Sequence, residues 1–283
     1  LDFGEVSMDT ESGLVRAQAG ANWDDVVARS VQLGLGGIEC LSGIPGTVGA
    51  VPVQNVGAYG AEISEVLTRV RLYNRRTDTD EWVPASDLEL AYRYSNLKFT
   101  GRAVVLEVEL QLNNDGLSRP LRFGQLTQNP GERRPVAEVR EEVLKLRRGK
   151  GMVLDPSDHD TWSAGSFFTN PVVDSALADA VQAKVRTSLG DATADSMPRH
   201  PSSEADREKL SAAWLIDRAG FAKGYPGSGR ATLSTKHTLA LTNRGEAKAA
   251  DIVDLARTIR DGVRDAFGVS LVPEPVWIGA ELD

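Results

Sequence analysis

Cysteine is almost absent from this 283-residue chain: Cys40 stands alone, so no disulfide can form within it. No secretory signal opens the sequence, and a single thiol, read as a small packed residue, fits a reducing cytoplasm. Histidine is scarce as well. His159, His200 and His237 lie far apart, with no C-x-x-C or H-x-x-x-H spacing, so no metal site is expected. No apolar run approaches the ~20 residues that span a bilayer, and no membrane partner is expected. Basic excess is missing too: the formal net charge of -8 opposes nucleic-acid binding, which relies on Lys and Arg to neutralise phosphates. Small molecules are the expected partners. Two catalytic signatures are also lacking. No G-x-G-x-x-G joins a strand to a helix, which removes the basis for a Rossmann nicotinamide site, and no G-x-S-x-G elbow marks a hydrolase serine. The run from Gly224 to Gly229 carries a proline and reads as a surface turn.

What is present suits a folded protein. Apolar residues make up 41% and charged residues 25%, and the length allows two domains. Residues 14–19 suit a strand, and Trp23, Val26, Val27, Ser30 and Leu33 recur at helical spacing until Gly34. Val66, Val70 and Leu72, then residues 103–112, show the period of two expected of strands. In the second run Val104, Leu106, Val108, Leu110 and Leu112 share one face, leaving Glu107, Glu109 and Gln111 on a wet side. Residues 113–135 read as a loop and Val136, Val139, Val143 and Leu146 as a helix, so a domain boundary is expected near 130–150. Beyond it come helices around residues 177–185 and 210–217, a strand at 239–242, and a long helix bearing Ile252, Ala256, Ile259, Val263 and Phe267 that stops at Gly268. The cluster Arg147-Arg148-Gly149-Lys150 reads as a solvated helix end. The fold class is α+β.

Residues 41–62 carry Gly43, Gly46, Gly49, Gly57 and Gly60, two prolines and almost no charge. Repeated glycine serves a backbone that must take positive φ or approach another group closely, and consecutive N–H groups in such turns suit phosphate or another electron-rich ligand. A cofactor-cradling loop pair, with Gln54 and Asn55 as neutral hydrogen-bond partners, stands beside the plainer reading of two tight turns. Three further segments carry possible chemistry. Tyr92-Arg93-Tyr94-Ser95-Asn96-Leu97-Lys98 could receive an anion or form a polar strand edge, and the residues by themselves favour the edge. Residues 163–171 set Ser166 beside Phe167 and Phe168, either sheltering a reacting group or forming a core strand that enters a proline turn. Pro273-Glu274-Pro275 fixes a carboxylate in an apolar segment, at a site or in an exposed loop.

In this order and at these intervals the segments resemble the UDP-N-acetylenolpyruvoylglucosamine reductases of bacterial cell-wall synthesis, in the subgroup with a Tyr-Arg-x-Ser motif. The family shows G-I-P-G-x-x-G, Q-N-x-G-A-Y-G, Y-R-x-S-x-F-K, A-G-S-F-F-x-N-P, and a late P-E before I-G. Here these are residues 43–49, 54–60, 92–98 with Leu97 in place of Phe, 164–171, and Pro273-Glu274 before Ile278-Gly279. Trp214-Leu215-Ile216-Asp217 and Lys236-His237 extend the resemblance over nearly the whole chain. It implies a flavoprotein of the vanillyl-alcohol-oxidase FAD-binding fold with a second, smaller α+β substrate domain. Residues 1–134 would bind FAD, residues 149–248 the substrate, and residues 249–283 would return to the FAD-binding region. FAD, held non-covalently, would lie on Gly43, Ile44, Pro45, Gly46, Thr47, Val48, Gly49, Ala50, Gln54, Asn55, Gly57, Ala58 and Tyr59. NADPH would reduce it and give way, in the same cleft, to the enolpyruvyl UDP-sugar.

The resemblance also implies roles. Hydride delivered to C3 of the enolpyruvyl group leaves charge on C2 and its carboxylate, which Arg93 and Glu274 would stabilise while Ser166 protonates C2. Tyr92, Lys150, Asn170, Phe123 and His237 would contact the substrate. Phe123 departs from the family, which often has Tyr there; it can pack but cannot donate a hydrogen bond. The family's G-G-G-S-N pyrophosphate turn has no counterpart, which implies that part of the FAD-binding domain lies upstream of Leu1 and that the helix near 249–267 packs on it. The rival readings are another FAD-dependent oxidoreductase of the same superfamily, which would not need Ser166, Arg93 and Glu274 together, and a catalytically incompetent nucleotide-binding fragment.

Overall fold

The computed structural model describes residues 2–202 and 204–282, and the chain divides into two compact units, Leu1–Arg148 and Gly149–Asp283. In the first unit β1 (Val6–Met8) and β2 (Leu14–Gln18) precede helix α1 (Trp23–Gln32). The helix starts where expected: the Asn22 side chain accepts the Asp25 N–H, and Asp24 and Asp25 complement the positive end of the helix dipole. Trp23, Val26 and Val27 are buried in the main core. A two-residue pair, β3 (Gly57–Ala58) with β4 (Ala61–Glu62), frames the second glycine turn. Then come β5 (Leu67–Asn74), β6 (Thr79–Pro84), β7 (Ala103–Gln111) and α2 (Val136–Gly149). The longer strands form one antiparallel sheet in the order β1-β2-β7-β5-β6.

The expected alternation along β7 breaks midway. Leu72 pairs with Val105 but Arg71 pairs with Glu107, so Leu106 is an extra residue in the ladder. Such a bulge exchanges inward and outward faces. Val105 is therefore buried, while Val104 and Leu106 are only half-buried; beyond the bulge Val108 and Leu110 face the core as expected. Glu109 does not lie on a wet face either. It is buried between Arg69 (2.8 Å) and Arg16 (2.7 Å) and also accepts the Thr68 hydroxyl.

In the second unit β8 (Val172–Asp174) leads into α3 (Ser175–Leu189) and α4 (Asp191–Asp195), followed by β9 (Arg199–Pro201), β10 (Arg207–Leu210) and α5 (Ala212–Arg218). The strands form a small antiparallel sheet, β8-β10-β9, and a hairpin of β11 (Ala231–Leu233) with β12 (Leu241–Asn243) lies beside it in sequence. Helix α6 (Ala249–Phe267) ends at Gly268, whose φ of 78° is the left-handed stop that glycine permits. Its apolar face has a partner inside this unit: Leu255, Ala256, Ile259, Val263 and Phe267 are buried with residues of α3, α5 and the β11–β12 hairpin. That differs from the expectation that this face packs on a segment preceding Leu1. The core of the second unit is rich enough in Val, Leu and Ile to absorb it.

Candidate active site

The glycine turns of the first unit are pinned by backbone. The Gly46 carbonyl accepts the Trp23 N–H, while the Val48 and Gly49 N–H groups donate to Ala21 and Ala19 (all 2.9 to 3.0 Å). A Cβ on Gly49 would stand 2.7 Å from the Ala19 Cβ, so the turn lies against Ala19, just past β2, only because residue 49 has none. Gly43 is fixed on both sides: its N–H donates to Asp24 (2.6 Å) and its carbonyl accepts from Arg147 (3.1 Å). Burial alone would raise the Asp24 carboxyl, but Arg140 and the Gly43 N–H bring it below its ordinary range. Arg147 is thus a contact of the turn and not a solvated helix end. Sequence reading missed this pair because Asp24 looks like a helix-dipole residue and Arg147 lies 104 positions from Gly43.

The candidate cofactor residues divide by what they expose. Pro45, Gly46, Thr47 and Ala50 are exposed, Gly43, Ile44, Gly49, Gln54, Gly57, Ala58 and Tyr59 half-buried, and Val48 faces the core. Asn55 is 1% exposed, has a left-handed φ of 46°, and uses its amide internally. Its Nδ2 donates to Glu62 and the Ala91 carbonyl, and its Oδ1 accepts the Ser64 N–H. Its side chain therefore holds the turn in shape, unlike the ligand-facing role first assigned to it. Burial pushes the Tyr59 phenol up, and Phe123 packs edge-on against that ring at 5.3 Å. Cys40 lies in the same small cluster, with its thiol pushed up to about 12 by burial, which suits packing and not nucleophilic chemistry.

Residues 92–98 form no strand edge; they are a loop tied to the glycine turns. The Ser95 hydroxyl donates to Val53 O (2.5 Å), Arg93 Nη2 to Gly57 O (2.6 Å), and the buried Lys98 Nζ to Arg93 O (3.0 Å). Arg93 has a φ of +54°, a conformation costly for a residue with a Cβ, and its guanidinium lies 5.0 Å from the exposed Tyr92 ring. The structure thus seats the candidate cation directly on the second glycine turn.

Within the second unit residues 163–171 are likewise irregular, not a core strand. Phe167 N–H donates to Leu239 O, Phe168 pairs with Pro273, and Glu274 N–H donates to Phe167 O (2.8 Å). Phe167 and Phe168 are buried, while Ser166, one residue earlier, is half-exposed. Ser166 and Glu274, 108 positions apart, therefore sit on adjoining segments. Asn170 Oδ1 accepts the Ala212 N–H (3.0 Å), which fixes its amide. His237 is lowered to about 4 by burial and then by Lys150 and Lys223, so it is a neutral imidazole near neutral pH, with Lys150 close enough to act on it. The loop bearing it is anchored at Asp160, which no sequence pattern singled out.

A cavity of about 250 Å³ opens along the first turn, lined by Thr47, Gly49, Val53, Leu97, Val104 and Val105. Its walls are backbone, hydroxyl and aliphatic groups without a carboxylate, a donor set that fits a neutral aromatic ring or a phosphate-bearing chain. Residues 2–78 match the FAD binding domain family, so the first unit is of the FAD-binding flavoprotein class. Residues 155–278 match the C-terminal domain of UDP-N-acetylenolpyruvoylglucosamine reductase. A Corynebacterium glutamicum protein named UDP-N-acetylenolpyruvoylglucosamine reductase 2 is 64% identical over 291 residues, covering 100% of this chain and 77% of that one. A Corynebacterium jeikeium reductase of the same name is 59% identical, covering 99% and 71%. The crystal structure of the Thermus caldophilus reductase shares the fold, with a TM-score of 0.59 at 24% identity over 95% of this chain and 73% of that one. The chain belongs to the UDP-N-acetylenolpyruvoylglucosamine reductase family.

Proposed function

We propose that this protein reduces UDP-N-acetylglucosamine enolpyruvate to UDP-N-acetylmuramate, a peptidoglycan precursor, with Ser166, Arg93 and Glu274 as its catalytic residues. It is an FAD-dependent, NADPH-using oxidoreductase. FAD, when bound, carries two electrons from NADPH to the substrate's vinyl carbon. The glycine turns around Gly43–Gly49 and Gly57 would hold it through backbone N–H groups and close approach. A cytoplasmic site of action accords with both nucleotides the reaction consumes, and no helix among the described residues is long and apolar enough to cross a membrane.

The chain's residues then have distinct tasks. Arg93, oriented by its bond to Gly57 O, offers a planar cation to the substrate carboxylate as charge builds there. Glu274 donates a hydrogen bond to the same charge, and Ser166 delivers a proton to C2. A hydroxyl is a weak acid, so it serves only toward a strongly basic carbon and from a fixed position. The observation that carries this reading is the Glu274 N–H bond to Phe167 O, which fixes the acid on the segment adjoining Ser166. Lys150, Asn170 and His237 would receive the UDP-sugar, and Tyr92 and Phe123 are further candidate contacts for it.

Anaerobic stopped-flow measurement of the two half-reactions tests the proposal. Parent protein should be reduced by NADPH and reoxidised by the enolpyruvyl UDP-sugar; reduction without reoxidation by that substrate would assign the chain to another flavin oxidoreductase.

A further inference from the structure

Asp160 is a carboxylate only 5% exposed, and neither the catalytic proposal nor the sequence pattern uses it. Its Oδ1 accepts the Thr235 N–H (2.9 Å) and Arg244 Nη1 (2.9 Å), and its Oδ2 accepts the Thr235 hydroxyl. Burial would raise its carboxyl, but the Thr235 and Arg244 bonds more than reverse this and keep it ionised. A buried charge with every contact satisfied is costly to build and costly to disturb, because removing it strands its partners.

The position of Asp160 matters more than its charge. Thr235 directly precedes Lys236 and His237, and Lys236 is itself bound to the neighbouring Asp158. On the other side, a Cβ on Gly151 would stand 2.9 Å from the Asp160 carbonyl oxygen, so the chain leaving Lys150 lies flat against Asp160. Downstream, Trp162 O accepts the Asn243 N–H and Ser163 bridges Thr242, which fixes the start of the segment that reaches Ser166. Three candidate residues from separate parts of the sequence, Lys150, Ser166 and His237, thus hang on one short stretch, residues 158–163.

We infer that Asp160 is a positioning residue for the UDP-sugar: its carboxylate locks the Thr235-Lys236-His237 loop to the segment that carries Ser166. The inference rests on the substrate assignment above. It does not touch the glycine turns, so flavin retention should be independent of it.

The test is equilibrium titration of the purified flavoprotein with the enolpyruvyl UDP-sugar, read by the flavin absorbance change, for the parent and for Asp160→Asn and Thr235→Val. Asp160→Asn should bind the substrate at least tenfold more weakly and raise KM more than it lowers kcat, with flavin content near that of the parent and a lower Tm, because Arg244 loses its partner. Thr235→Val, which removes only the hydroxyl bond, should lose about threefold. A carboxylate acting merely through its charge would give the opposite sign, because neutralising it would tighten binding of a polyanionic substrate. Binding by Asp160→Asn equal to or tighter than the parent overturns the inference. If Asp160→Asn does not fold, Thr235→Val decides: unchanged affinity overturns the inference and a threefold loss supports it. A parent protein that fails to bind the enolpyruvyl sugar would instead overturn the substrate assignment, a separate outcome.

Discussion

The two units build their sites from different materials. In the first, around Gly46–Gly49, position is set by main chain: carbonyls and N–H groups of residues 19–23 hold the turn, while side chains tie down its flanks, Asp24 and Arg147 at Gly43 and Arg93 at Gly57. In the second, position is set by side chains, with Asp160, Thr235, Arg244, Asp158 and Lys236 in one polar network. A site made of backbone tolerates many side chains but not an added Cβ. One made of side chains tolerates small backbone changes but not the loss of a hydrogen-bonding group. The contrast matches the ligands proposed for each: a resident ring and phosphate chain on one side, an exchanging substrate with several polar groups on the other.

The largest expected effect falls on a side chain of the second unit. Ser166→Ala should leave flavin reduction by NADPH within a factor of two and slow reoxidation by the enolpyruvyl substrate by roughly 10²- to 10⁴-fold, the usual worth of a positioned general acid. Equal rates in both half-reactions would remove Ser166 from that role. On the backbone side, Gly49→Ala drives a Cβ to 2.7 Å from Ala19. Overpacking of that kind costs roughly 1–3 kcal/mol. Purified Gly49→Ala should therefore hold flavin about tenfold or more weakly, measured by dialysis and flavin fluorescence, whereas Gly46→Ala, whose Cβ meets nothing within 4 Å, should suffer only from its φ of 109°. Should Gly49→Ala retain flavin like the parent, the turn is not the cradle. A smaller effect separates donor from charge at residue 274. Glu274→Gln keeps a donor and should lose less reoxidation rate than Glu274→Ala; equal losses would rule out donation.

How much of this was legible beforehand follows the same division. The glycine turns announce themselves, because only close approach or positive φ makes repeated glycine worthwhile. Helices α1 and α6 were readable from periodicity and from the stops at Gly34 and Gly268. The bulge at Leu106 was not, since one extra residue in a ladder leaves no trace in an alternating run. The loop at residues 92–98 read as a strand edge because alternating aromatic and polar residues mimic one; the bonds from Ser95 and Arg93 to Val53 and Gly57 that override it join residues 36 and more positions apart. Asp160 was invisible for the same reason. A buried acid flanked by Asp158 and His159 looks like a surface turn until its partners 75 and 84 positions away are known.

In acid the two units differ again: His237 in the second and Glu109 in the first are both shifted far from their ordinary range. His237 is held at about 4, below its ordinary 6.5, so between those values the unfolded chain binds a proton that the folded chain refuses. That part of the stability is complete above pH 6.5 and is lost as pH falls toward 4, with a slope of at most ~1.4 kcal/mol per pH unit for one proton. Glu109 is held at about 2 against an ordinary 4.5, first by Arg69 and also by Arg16 and Thr68. Its contribution is complete above pH 4.5 and is lost as pH falls through 2. The two windows barely overlap, so chemical denaturation at a series of pH values can tell His237 from the carboxylates, among which Asp24 and Asp160 are also held below their ordinary range. His237→Gln should lessen the fall in stability between pH 6.5 and 4 while leaving the lower limb in place, and Glu109→Gln should make the lower limb shallower without removing it, since Asp24 and Asp160 still lose stabilisation there. A His237→Gln profile that falls as steeply as the parent's between pH 6.5 and 4 would mean that the imidazole is not kept neutral by burial, Lys150 and Lys223.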